Sequence, residues 1–157
     1  MKQGAQLEIA SRPEAIWPYC SEPLLLTSWF SGWHNLNRKV EGPVKRGETF
    51  GITVLDFDQE QPRKVEVIEY KERIKVTYRI YNMSSEPPRF DDIIFQLAPV
   101  KNSTKVEIAN EMDGLRLSLF TRLLWLIFRN FRAAREGGWK EALTKLKNKI
   151  ENSTNPK

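Results

Sequence analysis

The chain has 157 residues and a mass of 18.4 kDa, with 29% charged and 40% hydrophobic residues. These are the dimensions of one ordinary globular domain, and they exclude a wholly disordered chain, a coiled coil and a collagen-like repeat. The net charge of +5 is uneven: residues 112–157 hold ten Lys/Arg against four Asp/Glu, whereas residues 1–111 hold fifteen against sixteen.

Residues 5–10 (AQLEIA) alternate apolar and polar and predict an edge strand. A short helix is expected next, with Ser11 as N-cap, Pro13 in the first turn, Glu14 completing a capping box and Pro18 limiting its length. A second short helix is predicted from Pro23 to Phe30, stopping at Ser31-Gly32. From about residue 37 to 112 the period changes to two. Phe50, Ile52 and Val54 share one face, as do Ile74, Val76, Tyr78 and Ile80, and then Val106, Ile108 and Met112. Turn residues separate these runs at 41–43, 46–47, 61–62, 86–88 and 101–103, which predicts about six strands in a meander of hairpins. Gly137-Gly138 divides two helical segments, and after it Trp139, Leu143, Leu146 and Ile150 form an apolar stripe. That stripe needs a large apolar partner, and the sheet is the one on offer. The expected fold class is α+β: a curved antiparallel sheet of six to seven strands wrapped on a long C-terminal helix, with two short helices after strand 1. Residues 1–151 read as one domain and 152–157 as a flexible tail.

The order of these pieces resembles the SRPBCC or START-like superfamily, in the branch of polyketide cyclase/dehydrase and chaperone-ATPase-activator-like proteins. The matching residues are Ser11, Pro13, Glu14, Ile16 and Trp17, then Trp29 and Phe30, then Gly42, Gly47 and Phe50. Gly137, Gly138, Trp139, Leu143 and Leu146 are similar to the family's closing helix. The resemblance implies a helix-grip fold with a cavity between sheet and helix, in which members hold lipids, sterols, polyketides or other apolar molecules.

Residues expected to line such a cavity are Trp17, Phe50, Ile52, Val67, Val76, Tyr78, Phe95, Ile108, Asn110, Met112, Trp139 and Leu143. The competing reading is a core packed to ordinary density, which sequence does not separate from a lined pocket. Tyr78 and Asn110 stand out as polar residues in apolar registers, and each needs a partner from backbone or ligand. His34, the single histidine, reads as a surface-loop residue, and Cys20 as a small buried hydrophobe. No metal motif, phosphate loop or nucleophile elbow occurs, so no cofactor, metal or catalytic residue is assigned.

Residues 115–135 predict an amphipathic helix, with Phe120, Leu123, Leu124, Ile127, Phe128 and Phe131 on one face. Ser118, Arg122, Trp125, Arg129 and Arg132 gather on the other. Core packing competes here with a surface that meets an anionic membrane or a partner. Neither a finger motif nor an RNP-type aromatic motif is present, which argues against nucleic acid as the partner of the basic charge. No apolar run is long enough to span a bilayer or serve as a signal core, so a cytoplasmic domain is expected, and peripheral membrane association through 115–135 is the alternative to core packing of that segment. The favoured function is binding or transport of an apolar small molecule. A cyclase/aromatase-type enzyme and a chaperone-activator-like interaction module are the alternatives.

Overall fold

The computed structural model describes residues 2–56, 59–82, 89–112 and 129–154. Strand β1 (Lys2–Ile9) leads into helices α1 (Pro13–Ser21) and α2 (Pro23–Thr27). Six strands follow: β2 (His34–Asn37), β3 (Thr49–Asp56), β4 (Gln59–Lys71), β5 (Lys75–Asn82), β6 (Arg89–Val100) and β7 (Ser103–Met112). The last element is helix α3 (Arg129–Thr154). The strands form one antiparallel sheet in the order β1-β7-β6-β5-β4-β3-β2, so the first strand closes onto the last and the rest is a meander.

Register explains the core. Ile9, Val106, Ile108, Leu97, Phe95, Val76, Tyr78, Val67, Val65, Phe50 and Ile52 are buried in alternating positions of their strands. Cross-strand partners share a face, and the pairs Ile108–Phe95, Phe95–Val76, Tyr78–Val67 and Val65–Phe50 run that face across the sheet. Leu143, Leu146 and Ile150 of α3 are buried in the same cluster. Burying such a stripe against a sheet is what holds a helix of this length in place. Lys147 Nζ donates to the Glu8 carbonyl (3.3 Å) and the Ala10 amide donates to Glu151 Oε1 (3.1 Å), so α3 also covers backbone groups at the end of β1.

Several local expectations are corrected. Ser11 does not cap α1: the N-cap is Arg12, with no side-chain bond, while the Ser11 carbonyl accepts from Thr104 Oγ1 at 2.7 Å. Glu14 is paired outward with Arg73. Pro18 does not end α1, which runs on to Ser21. The donor that Pro18 lacks would serve the carbonyl of Glu14, an exposed residue where water can replace it. Helix α2 stops at Thr27, three residues short of Phe30. Gln61-Pro62 is not a turn but part of β4; Pro62 lies beyond the last β4–β5 pair, where β4 pairs β3 alone and a strand proline is tolerated. His34 opens strand β2 and is half-buried. Gly137-Gly138 does not divide the terminal helix, because burial of the stripe after it outweighs about 1 kcal/mol per helical glycine. Helix α3 continues to Thr154, three residues into the segment read as a tail.

Candidate functional site

The concave face of the sheet is filled at its centre by aromatic rings. Trp33 meets Phe30, Phe50 and Tyr78 edge to face, with centroids 6.0, 6.1 and 5.2 Å apart. Phe95 meets Trp29, Phe30 and Tyr78 in the same way at 5.9–6.0 Å. These are favourable quadrupolar arrangements beyond their burial. Tyr78 is wholly buried, and its hydroxyl donates to the Cys20 carbonyl at 2.8 Å. Burial pushes its phenol well above the ordinary tyrosine range, so the hydroxyl keeps its proton and serves as a structural donor. Burial likewise pushes the Cys20 thiol up to about 12, which leaves it protonated and unreactive at neutral pH.

A cleft of about 350 Å³ lies where this face runs out. Its aromatic side is Phe30 and Trp33 from the turn after α2, with Trp139 from α3. Val54, Ile80 and Ile93 supply aliphatic wall from β3, β5 and β6, and Arg63, Asn82, Asp91 and Asn110 supply polar groups. Trp139 is half-buried and stacks on Phe30, with ring planes 21° apart and centroids 5.7 Å apart. Asn110 stands opposite Gln3 on β1 and Ile93 on β6. Its Oδ1 is buried and has no hydrogen-bond partner. A buried acceptor left unpaired costs about 1–3 kcal/mol, and this one is covered by protein and does not face the cleft.

Of the residues expected from sequence, the structure brings Asn110 and Trp139 together in this cleft. Trp17 is part of the packed cluster and meets Tyr70 edge to face, and its Nε1 donates to the Tyr70 hydroxyl at 3.3 Å. Phe50, Ile52, Val67, Val76, Tyr78, Phe95, Ile108 and Leu143 are buried in the packed cluster. Met112 ends β7, and only its backbone is described. Arg122 and Trp125 of the expected surface helix lie outside the described residues, while Arg129 and Arg132 fall in the opening turn of α3 with only the backbone described. Sequence reasoning missed Phe30, Trp33, Ile93, Arg63, Asn82 and Asp91 as cleft residues. Ile80 and Asn82 continue the Val76–Tyr78 alternation, a signal that was present.

Among the described residues, no group of three His, Cys, Asp or Glu side chains is placed to hold a metal. No helix among them is long and apolar enough to cross a membrane. The arrangement offers shape, apolar contact and a few polar groups, which are the means of holding a ligand.

Comparison with known proteins fits this architecture. The structure is similar to a protein from Mesorhizobium loti, with a TM-score of 0.70 at 16% identity over 99% of this chain and 100% of that one. It is similar to the Aha1 dimer from Colwellia psychrerythraea, with a TM-score of 0.66 at 17% identity over 99% of both chains. It also matches DynU16, a protein in the dynemicin biosynthetic locus, with a TM-score of 0.65 at 15% identity over 97% of this chain and 48% of that one. At such identities the likeness establishes the fold alone. No curated protein matches the sequence. The model of the family described as Activator of Hsp90 ATPase homolog 1-like protein matches residues 10–151. The chain therefore belongs to that family, within the SRPBCC or START-like superfamily, and has its helix-grip fold.

Proposed function

We propose that this protein binds a small apolar molecule in the cleft beside Trp139, as a carrier or binding protein. One observation carries the reading: a cleft of about 350 Å³ that sets the rings of Phe30, Trp33 and Trp139 beside the aliphatic side chains of Val54, Ile80 and Ile93. Aromatic and aliphatic walls with a few polar groups are the usual lining of a small-molecule site. The cleft volume stands at the low end of the roughly 300–1,000 Å³ common for small-molecule sites. Family membership supports a binding or activator-type module in general terms. The carrier reading is preferred over a cyclase because Tyr78, the polar residue expected to steer proton transfers, is committed to the Cys20 carbonyl within the core.

Methyl NMR tests the location. Titration with a panel of small apolar compounds is expected to shift the methyls of Val54, Ile80 and Ile93, leaving those of Val67 and Val76 in the packed core nearly still. Shifts confined to other surfaces, or none with any compound, contradict the proposal.

A further inference from the structure

We infer that the convex face of the sheet carries a second binding site, a trough over Gly51 that takes a neutral sugar. Strand alternation places it. Phe50 and Ile52 of β3 and Val65 of β4 are buried on the concave side, so Thr49, Gly51 and Thr53 of β3 and Lys64 of β4 stand on the other. Gly51 pairs Asn37 of β2 on one side and Lys64 on the other. Where its side chain is missing, a trough of about 640 Å³ opens, which Asn35 and Pro62 also line.

The glycine itself points to an occupant. Glycine inside a strand costs stability, so its presence there calls for a reason. Backbone conformation does not supply one, because Gly51 lacks the positive φ of Gly42 and Gly47. Packing does not supply one either: a Cβ built at Gly51 meets only the Asn37 Cβ, at 3.4 Å. The irregular pairing of β2 with β3 spans His34–Asn37 against Thr53–Gly51, so the extra residue lies on β2 and asks nothing of β3. What remains is room for a molecule to approach the backbone, a recognised use of a strand glycine.

The walls name the chemistry. Among the described residues, the side chains of Asn35, Asn37, Thr49 and Thr53 make no hydrogen bond. Carboxamides and hydroxyls both donate and accept, which matches sugar hydroxyls that do the same. The Pro62 ring and the Gly51 backbone give the C–H side of a sugar ring a surface to rest on. Two cations, Arg63 and Lys64, also border the trough, and Lys64 lies over the Tyr81 ring of β5, 5.8 Å from its centroid. An anion is therefore the rival occupant.

Amide NMR of the full chain tests the assignment, with glucose, mannose, galactose, N-acetylglucosamine and inorganic phosphate as separate probes. At least one sugar is expected to shift the amides of Gly51, Thr53 and Lys64 while those of Ile80 and Ile93 stay still. Asn37→Ala is expected to weaken that sugar about tenfold. Gly51→Ala is expected to weaken it as much, yet to raise Tm by about 1–3 °C. A fall in Tm for Gly51→Ala would make the glycine structural and overturn the inference. Shifts with phosphate alone overturn the assignment to a neutral sugar. If none of the five probes moves these amides, the site itself falls, and the cleft beside Trp139 is untouched by that result.

Discussion

Arg38→Ala is expected to destabilise the protein by about 2 kcal/mol, between the cost of breaking an exposed and a buried pair, measured as a fall in the urea midpoint at pH 7. The Arg38 side chain is only 5% exposed and grips the Glu48 carboxylate with two nitrogens, at 2.6 and 3.2 Å. The same guanidinium donates to the Gly42 carbonyl at 2.6 Å and the Pro43 carbonyl at 3.3 Å. One side chain thus ties the two ends and the middle of the connection between β2 and β3 together. Alanine leaves a partly buried carboxylate, which keeps the Lys45 amide as a donor at 3.0 Å, and two carbonyls without the guanidinium. The effect has a pH signature. The Arg38 hydrogen bond holds the Glu48 carboxyl below the ordinary carboxylate range, against the opposing pull of burial. A lowered folded-state pKa contributes stability that is complete above the unfolded value, near 4.3, and is lost as pH falls through the lower folded value. The gap between wild type and Arg38→Ala therefore narrows in acid. A gap that stays constant down to pH 2 counts against the pair as its source.

The second large effect is a contrast between two glycines. A Cβ built at Gly4 would fall inside the Ile108 carbonyl oxygen and 2.9 Å from the Ala109 Cα, so β1 has to move away from β7 to accept it. At Gly138, in α3, a Cβ meets nothing within 4 Å. Gly4→Ala is expected to cost about 2 kcal/mol as an overpacked backbone contact. Gly138→Ala is expected to stabilise by about 0.5–1 kcal/mol, because alanine loses less freedom than glycine in a helix. Thermal unfolding of the two variants should move in opposite directions. A neutral Gly4→Ala would mean that β1 and β7 do not approach as closely as their register implies.

The two glycines also show where the sequence was legible. The stripe of Trp139, Leu143, Leu146 and Ile150 identified one apolar helix face, and its strength explains why the helix ignores Gly137-Gly138. Strand alternation put Val76, Tyr78, Val106 and Ile108 inside correctly, since period two is a property of each strand alone. The need for glycine at position 4 was not legible, because it arises from β7, more than a hundred residues away. The cleft was hidden for the same reason. Asn110 and Trp139 were singled out by polarity and by the helical stripe. Phe30, Trp33, Ile93 and Arg63 join them through cross-strand register and the turn after α2, which no local pattern encodes. Tyr78 had the same sequence signature as Asn110, a polar group in an apolar register. The Cys20 carbonyl accepts from Tyr78, whereas Asn110 Oδ1 has no donor.

Native mass spectrometry of the protein as purified from cells, followed by organic extraction of whatever it releases, tests the central claim most directly. The account predicts a stoichiometric small apolar passenger, or an unloaded protein that gains one equivalent of an added small apolar compound. An unloaded mass that no apolar compound shifts would contradict it, and would make the cleft beside Trp139 an ordinary surface depression.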